Sequence, residues 1–111
     1  MVEQRFYTAK AGGSNPSPRT MKKELECIVR GKVQMVMFRD FVQRNARNLR
    51  LVGRVRNMKD GTVHVIAQGS EDVLHDFLRR LSKGSLLAKV DFISVCWRAP
   101  KDTYEGFIIE Y

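Results

Sequence analysis

The sequence is poor in cysteine, in histidine and in long apolar runs, and each shortage removes a class of function. Its two cysteines, Cys27 and Cys96, stand far apart, each inside an alternating apolar run. Neither belongs to a CxxC pair or to a Cys/His spacing of the kind that holds zinc. The two histidines, His64 and His75, are remote from each other and from both thiols. No metal and no cofactor is expected, and the cysteines read as buried, reduced thiols of a cytoplasmic protein. No apolar stretch approaches the roughly 20 residues needed to span a bilayer, so no membrane segment is expected either.

Acidic residues are scarce in one place above all. Between Arg30 and Lys59 stand Arg30, Lys32, Arg39, Arg44, Arg47, Arg50, Arg54, Arg56 and Lys59, against Asp40 alone. These nine cations less one carboxylate give +8, the net charge of the whole chain, so the remainder is balanced. A field concentrated in this way attracts anions and weakens with salt. A solvated basic face with no ligand would carry the same charge, so charge alone decides nothing.

At 111 residues the chain can bury one core, not two. Residues 1–21 hold Gly12-Gly13, Ser14, Asn15, Pro16, Ser17 and Pro18 and lack the apolar stretch of a secretory signal. They read as a flexible N-terminal tail, and residues 22–111 as the domain. Arg5, Lys10 and Arg19 against Glu3 also leave a transit peptide open, although the amphipathic pattern is poor.

Within the domain, Leu25, Cys27 and Val29 alternate with polar neighbours, the period of a strand buried on one face. Phe38, Phe41, Val42, Ala46 and Leu49 recur at steps of three and four, the stripe of an amphipathic helix. Residues 51–57 and 62–68 read as two strands joined through Asp60-Gly61, a turn dipeptide that suits a hairpin. His64 falls on the polar side of the second. Ser70 as N-cap, with Glu71 and Asp72 in the first turn, opens a second helix that Gly84 closes. Its polar face carries His75. Residues 88–98 read as a strand whose phase slips near Phe92-Ile93, as at a bulge, and residues 107–111 as a short last strand. The order βαββαβ plus a terminal strand predicts an α+β fold, a ferredoxin-like sandwich with two helices on one face of an antiparallel sheet.

The stretch from Gly31 to Arg39 joins the first strand to the first helix. A turn at glycine feeding a helix N-terminus leaves several backbone N–H groups unpaired, and with the helix dipole they suit an anion. Arg39, in the first helical turn, can fold back over the same place. The stretch reads as a cradle for one phosphate-like group.

Two spaced patterns carry a family resemblance. Gly31-x-Val33-Gln34-x-Val36-x-Phe38-Arg39 resembles the first signature of acylphosphatases. Gly53-x-Val55-x-Asn57-x-x-x-Gly61-x-Val63, followed by Gly69, resembles the second. The resemblance covers about residues 24–111. It implies a metal-independent hydrolase of the carboxyl–phosphate bond of acyl phosphates, with Arg39 binding the phosphate and Asn57 positioning the attacking water. It also implies a phosphate-binding loop formed by Lys32, Val33, Gln34, Met35, Val36, Met37 and Phe38. The residue chemistry agrees. Arginine offers a planar bidentate fork that lysine lacks, and loop N–H groups can stabilise equatorial oxygens. Asn57 orients water without the repulsion a carboxylate would bring, and no side chain is an obvious general base, which leaves the substrate phosphate to take the proton.

Two positions depart from the family pattern. Met35 stands where glycine is usual, and a left-handed backbone there would cost roughly 1–2 kcal/mol. Arg54 replaces an aromatic residue, with the expectation of a further cation close to Asn57. The alternative reading is a basic ferredoxin-like module that binds anions or nucleic acid without catalysis. Single-stranded RNA would want exposed aromatics on the central strands, and His64, Ile66, Arg54 and Arg56 offer none. The expected partner is a small acyl phosphate, not nucleic acid, and nothing demands more than a monomer.

Overall fold

A computed structural model describes residues 22–35, 37–85 and 87–111. The expected tail, residues 1–21, and the loop residue Val36 lie outside the described residues. Seven elements follow one another: β1 (Lys23–Lys32), α1 (Phe38–Asn48), β2 (Val52–Asn57), β3 (Val63–Gly69), α2 (Glu71–Lys83), β4 (Lys89–Arg98) and β5 (Phe107–Glu110). The strands form one sheet in the order β4-β1-β3-β2-β5. Its pairs are antiparallel except at one edge, where β5 runs parallel to β2, so the sheet is mixed.

Strand alternation decides what is buried. Leu25, Cys27 and Val29 of β1, Val63, Val65 and Ala67 of β3, and Val55 of β2 point to the helix side and are fully buried. Against them α1 brings Phe38, Val42 and Ala46, and α2 brings Leu74, Phe77, Leu78 and Leu81. The Phe77 ring meets the Phe107 ring of β5 edge-on, with centroids 6.2 Å apart. These side chains form one contiguous core, and their removal from water is the main force holding the layers together. Arg44, Arg47, Asn48 and Arg50 face water, as the helical stripe requires.

The helix ends differ in detail from their sequence signals. Ser70 occupies the N-cap of α2, yet its side chain makes no capping hydrogen bond. Gly84 ends α2 with φ 74°, and its N–H donates to Leu81 O. The N-cap of α1 is Met37, in the left-handed region at φ 62°.

The phase slip of β4 lies one residue earlier than expected. Arg30 pairs with Phe92 and Gly31 with Val90, so Asp91 is the extra residue of a bulge. Val90 and Ile93 are buried while Phe92 is exposed. Gly31 makes the bulge possible: a Cβ there would lie 2.3 Å from Lys89 O, and its φ is 132°.

The cysteine expectation holds for one residue and fails for the other. Cys27 lies in the core, and burial pushes its thiol pKa well above the ordinary value. Cys96 is exposed, because it pairs with Glu26 on the sheet face that carries no helix. The two thiols therefore point to opposite sides of the sheet.

That open face holds a polar network rather than a flat platform. Arg98 Nε donates to Glu24 Oε2 at 2.7 Å, and Arg98 also bonds the Glu26 carboxylate. His64 Nε2 lies 2.7 Å from Glu26 Oε2. The loop after β4 covers Glu24, whose Oε1 accepts from the Lys101 N–H at 3.1 Å and from Gln68 at 2.8 Å. Burial opposes the charge on Glu24, but the hydrogen bonds from Gln68, Lys101 and Arg98 outweigh it and hold the carboxyl below its usual range. His64 is thus a member of this network, on the face expected for it. His75 lies on α2, 3.6 Å from Glu71 and with its ring 4.9 Å from that of Trp97.

Candidate active site

The junction of β1 and α1 forms one wall of an open cavity of about 330 Å³, and the end of β2 forms the other. Val33, Met35, Met37, Phe38, Arg39 and Asn57 line it. The two residues singled out for catalysis, Arg39 and Asn57, therefore meet in one place although they belong to different elements. Asn57 is the last residue of β2 and shares the helix-side parity of Gly53 and Val55.

The loop residues divide by role. Lys32 is still in β1, paired with Lys89. Val33 and Phe38 turn their side chains into the core, each 1% exposed, and so anchor the two ends of the loop. Between them Met35 and Met37 adopt φ of 61° and 62°. The left-handed backbone that would make Met35 costly is thus present, and it recurs at Met37, a position that the family pattern does not mark with glycine. After Met37 the first hydrogen bond of α1 runs from the Phe41 N–H to Met37 O at 3.1 Å. The N–H groups of Phe38, Arg39 and Asp40 have no partner within the helix and face its positive dipole end.

Gln34 has a part that the signature alone does not reveal. Its side-chain amide donates to Met58 O at 2.9 Å and to Thr62 O at 2.8 Å. The loop is thereby tied to the β2–β3 hairpin just beyond Asn57. The hairpin has its own brace: Asp60 Oδ1 accepts from the Thr62 hydroxyl at 2.6 Å and from its N–H at 3.0 Å. Those bonds hold the Asp60 carboxyl below its usual range.

Arg39 is partly exposed, and its guanidinium carbon lies 4.8 Å from the centre of the Tyr111 ring. Among the described residues no carboxylate is paired with it. Asn57 Oδ1 is buried with no hydrogen-bond partner among the described residues, an uncommon state for a carbonyl oxygen. A cationic fork and an unpartnered acceptor share one cavity.

Arg54 does not add to this charge. It stands on the opposite side of β2 from Asn57, on the open face, and its Nη1 lies 3.5 Å from Glu110 Oε1. Arg56 reaches the same carboxylate at 3.5 Å. The expectation of a further cation beside Asn57 is corrected by strand parity: residues 54 and 56 share one face, 53, 55 and 57 the other.

The acylphosphatase family model matches residues 25–109, nearly all of the described chain. The chain belongs to the acylphosphatase family. It is 42% identical over 88 residues to the acylphosphatase of Dehalococcoides mccartyi, a match covering 78% of this chain and 97% of that protein. It is 44% identical over 84 residues to the acylphosphatase of Bacillus licheniformis, covering 76% and 93% of the two chains. Among solved structures, the acylphosphatase from Bacillus subtilis superposes with a TM-score of 0.78 at 38% identity, covering 80% of this chain and 99% of that one. The family model begins in β1 and ends in β5, and the ferredoxin-like architecture of the family is the one described above. No helix among the described residues is long and apolar enough to cross a membrane.

Proposed function

We propose that this chain hydrolyses the carboxyl–phosphate bond of small acyl phosphates in the cavity between the β1–α1 loop and the end of β2. The observation that carries the reading is the meeting of Arg39 and the unpartnered Asn57 Oδ1 in that cavity. Arg39 binds the phosphoryl group as a bidentate fork, and loop and helix amides from Lys32 through Phe38 support its equatorial oxygens. Asn57 Oδ1 accepts a hydrogen bond from the attacking water and so aims the water's lone pair at phosphorus.

The step balances without a protein base. A bond forms between water oxygen and phosphorus, the bond from phosphorus to the acyl oxygen breaks, and the carboxylate departs with that electron pair. A proton of the water passes to a phosphoryl oxygen, giving carboxylate and inorganic phosphate. In support, none of the six lining residues is a carboxylate or histidine. What remains for the protein is positioning and electrostatics, which suffices for a reactive mixed anhydride.

The protein works as a monomer in the cytoplasm in this reading. A reducing compartment suits the exposed, unpaired Cys96. Nucleic acid has no part in it. The central strands of the open face present Glu24 and Glu26, held by Arg98, where a base-stacking platform would need aromatics.

Hydrolysis of a synthetic acyl phosphate in EDTA by wild type, Arg39→Ala and Asn57→Ala tests the assignment. Wild type should turn over, and each variant should lose at least about 100-fold, the scale of a lost transition-state contact. Arg39→Lys should not restore the rate, since an ammonium cannot reproduce the fork. Comparable rates in all of these proteins would remove Arg39 and Asn57 from the chemistry.

A further inference from the structure

Two of the most exposed large apolar side chains of the described residues stand at the mouth of the cavity. Met35 is 95% and Met37 70% exposed. Both are held in the left-handed region, where a side chain is disfavoured and glycine or asparagine is accommodated better. Neither side chain returns that cost through packing, because neither enters the core. Backbone strain that serves no packing purpose points to use at the site.

Among the described residues, the other lining side chains leave little else for a substrate to touch beyond its phosphoryl group. Val33 and Phe38 are turned inward, and Arg39 and Asn57 are polar. In an in-line displacement the leaving carboxylate lies across phosphorus from the attacking water. A water held at Asn57 therefore directs the acyl group away from Asn57, towards the remaining exposed lining, which among the described residues is the methionine pair. Methionine is flexible and polarizable, and its sulfur makes favourable contacts with aromatic rings.

We propose that Met35 and Met37 form an apolar rim for the acyl group, so that the site favours acyl phosphates with an aromatic or bulky apolar acyl part over acetyl phosphate. This rests on the hydrolytic reading given above. The two methionines act as specificity-determining residues through their side chains, while their N–H groups serve the phosphate.

The test compares kcat/KM for benzoyl phosphate and acetyl phosphate in wild type, Met35→Asn, Met37→Asn and the double variant. Asparagine tolerates the left-handed backbone, so the substitution removes the apolar contact and keeps the turn. The ratio of the two kcat/KM values should fall about tenfold in the double variant, the range for loss of an apolar contact to substrate. Damage to the phosphate cradle would lower both substrates together and cancel in the ratio. Turnover of both compounds with a ratio that survives the double substitution would overturn the apolar rim and leave hydrolysis intact. Absence of wild-type turnover with either compound would overturn the hydrolytic reading, and the rim with it.

Discussion

The Gln34 side chain donates to Thr62 O at 2.8 Å, across the gap between the loop that leaves β1 and the hairpin that follows Asn57. Its second bond, to Met58 O at 2.9 Å, falls on the residue next to Asn57. The two halves of the cavity are therefore held in register by one amide group. Loop and hairpin could each keep their own fold without it, but their separation would drift.

Gln34→Ala should separate catalysis from stability. Thr62 O also accepts from the Met58 N–H, and Met58 O from the Gly61 N–H, so no carbonyl is orphaned by the change. Thermal or urea unfolding should show a loss of only about 1 kcal/mol. Turnover should fall by roughly tenfold or more, because small displacements of positioned groups are costly to rate. A stability loss with unchanged kcat/KM would mean that the tether does not govern the site.

Met35→Gly should stabilise the protein. The left-handed backbone at Met35 costs roughly 1–2 kcal/mol for a residue with a side chain, and glycine gives back part of the gain through its freer unfolded chain. The net expectation is up to about 1 kcal/mol in urea unfolding. Met35→Ala, which keeps the Cβ, should show no such gain.

How much of this was legible in the sequence follows from the range of the interactions. The fold was readable because strand and helix periods are local, and Arg39 and Asn57 stand out as candidates because each sits in a spaced signature. The Gln34 tether was not, since it depends on a side chain reaching backbone far along the chain. The left-handed turn at Met37 carried no glycine to betray it. The expectation for Arg54 fails on the same local rule, since alternation with Val55 and Asn57 puts it on the other face. From the sequence Cys96 reads as buried because an alternating apolar run looks alike on either face of a strand. Only the bulge at Asp91 and the pairing with Glu26 show which way it points.

Acid should weaken the open-face network. The carboxyls of Glu24 and Glu26 are held below their ordinary value of 4.5 in the folded protein, Glu26 chiefly by His64 and then Arg98. Their contribution is thus complete above the unfolded value and is lost as pH falls through the folded one. Unfolding free energy should decline below about pH 4.5. Glu24→Gln should cost about 2 kcal/mol at pH 7, because Glu24 is 1% exposed and Arg98 loses one of its two charged partners, and the decline should become shallower.

Thiol titration should give a simple count. In the native protein a water-soluble disulfide reagent should modify Cys96 alone, since Cys27 is buried and its thiolate is suppressed. In denaturant both of the two cysteines should react. Two fast thiols in the native state would contradict the packing of β1 beneath the helices.

The bulge of β4 bears on how the molecule keeps apart from its own copies. β4 is an outer strand of the sheet, and its stretch from Phe92 to Trp97 holds no charge, proline or glycine. Such a segment on a straight edge is a template for fibril growth. Asp91, extruded at one end, and Arg98, pinned to Glu24 at the other, bracket it with opposite charges and bend its ladder out of line. A residue larger than glycine at position 31 would press on Lys89 and flatten that bend, so its first consequence in the cell would be aggregation rather than a slower enzyme.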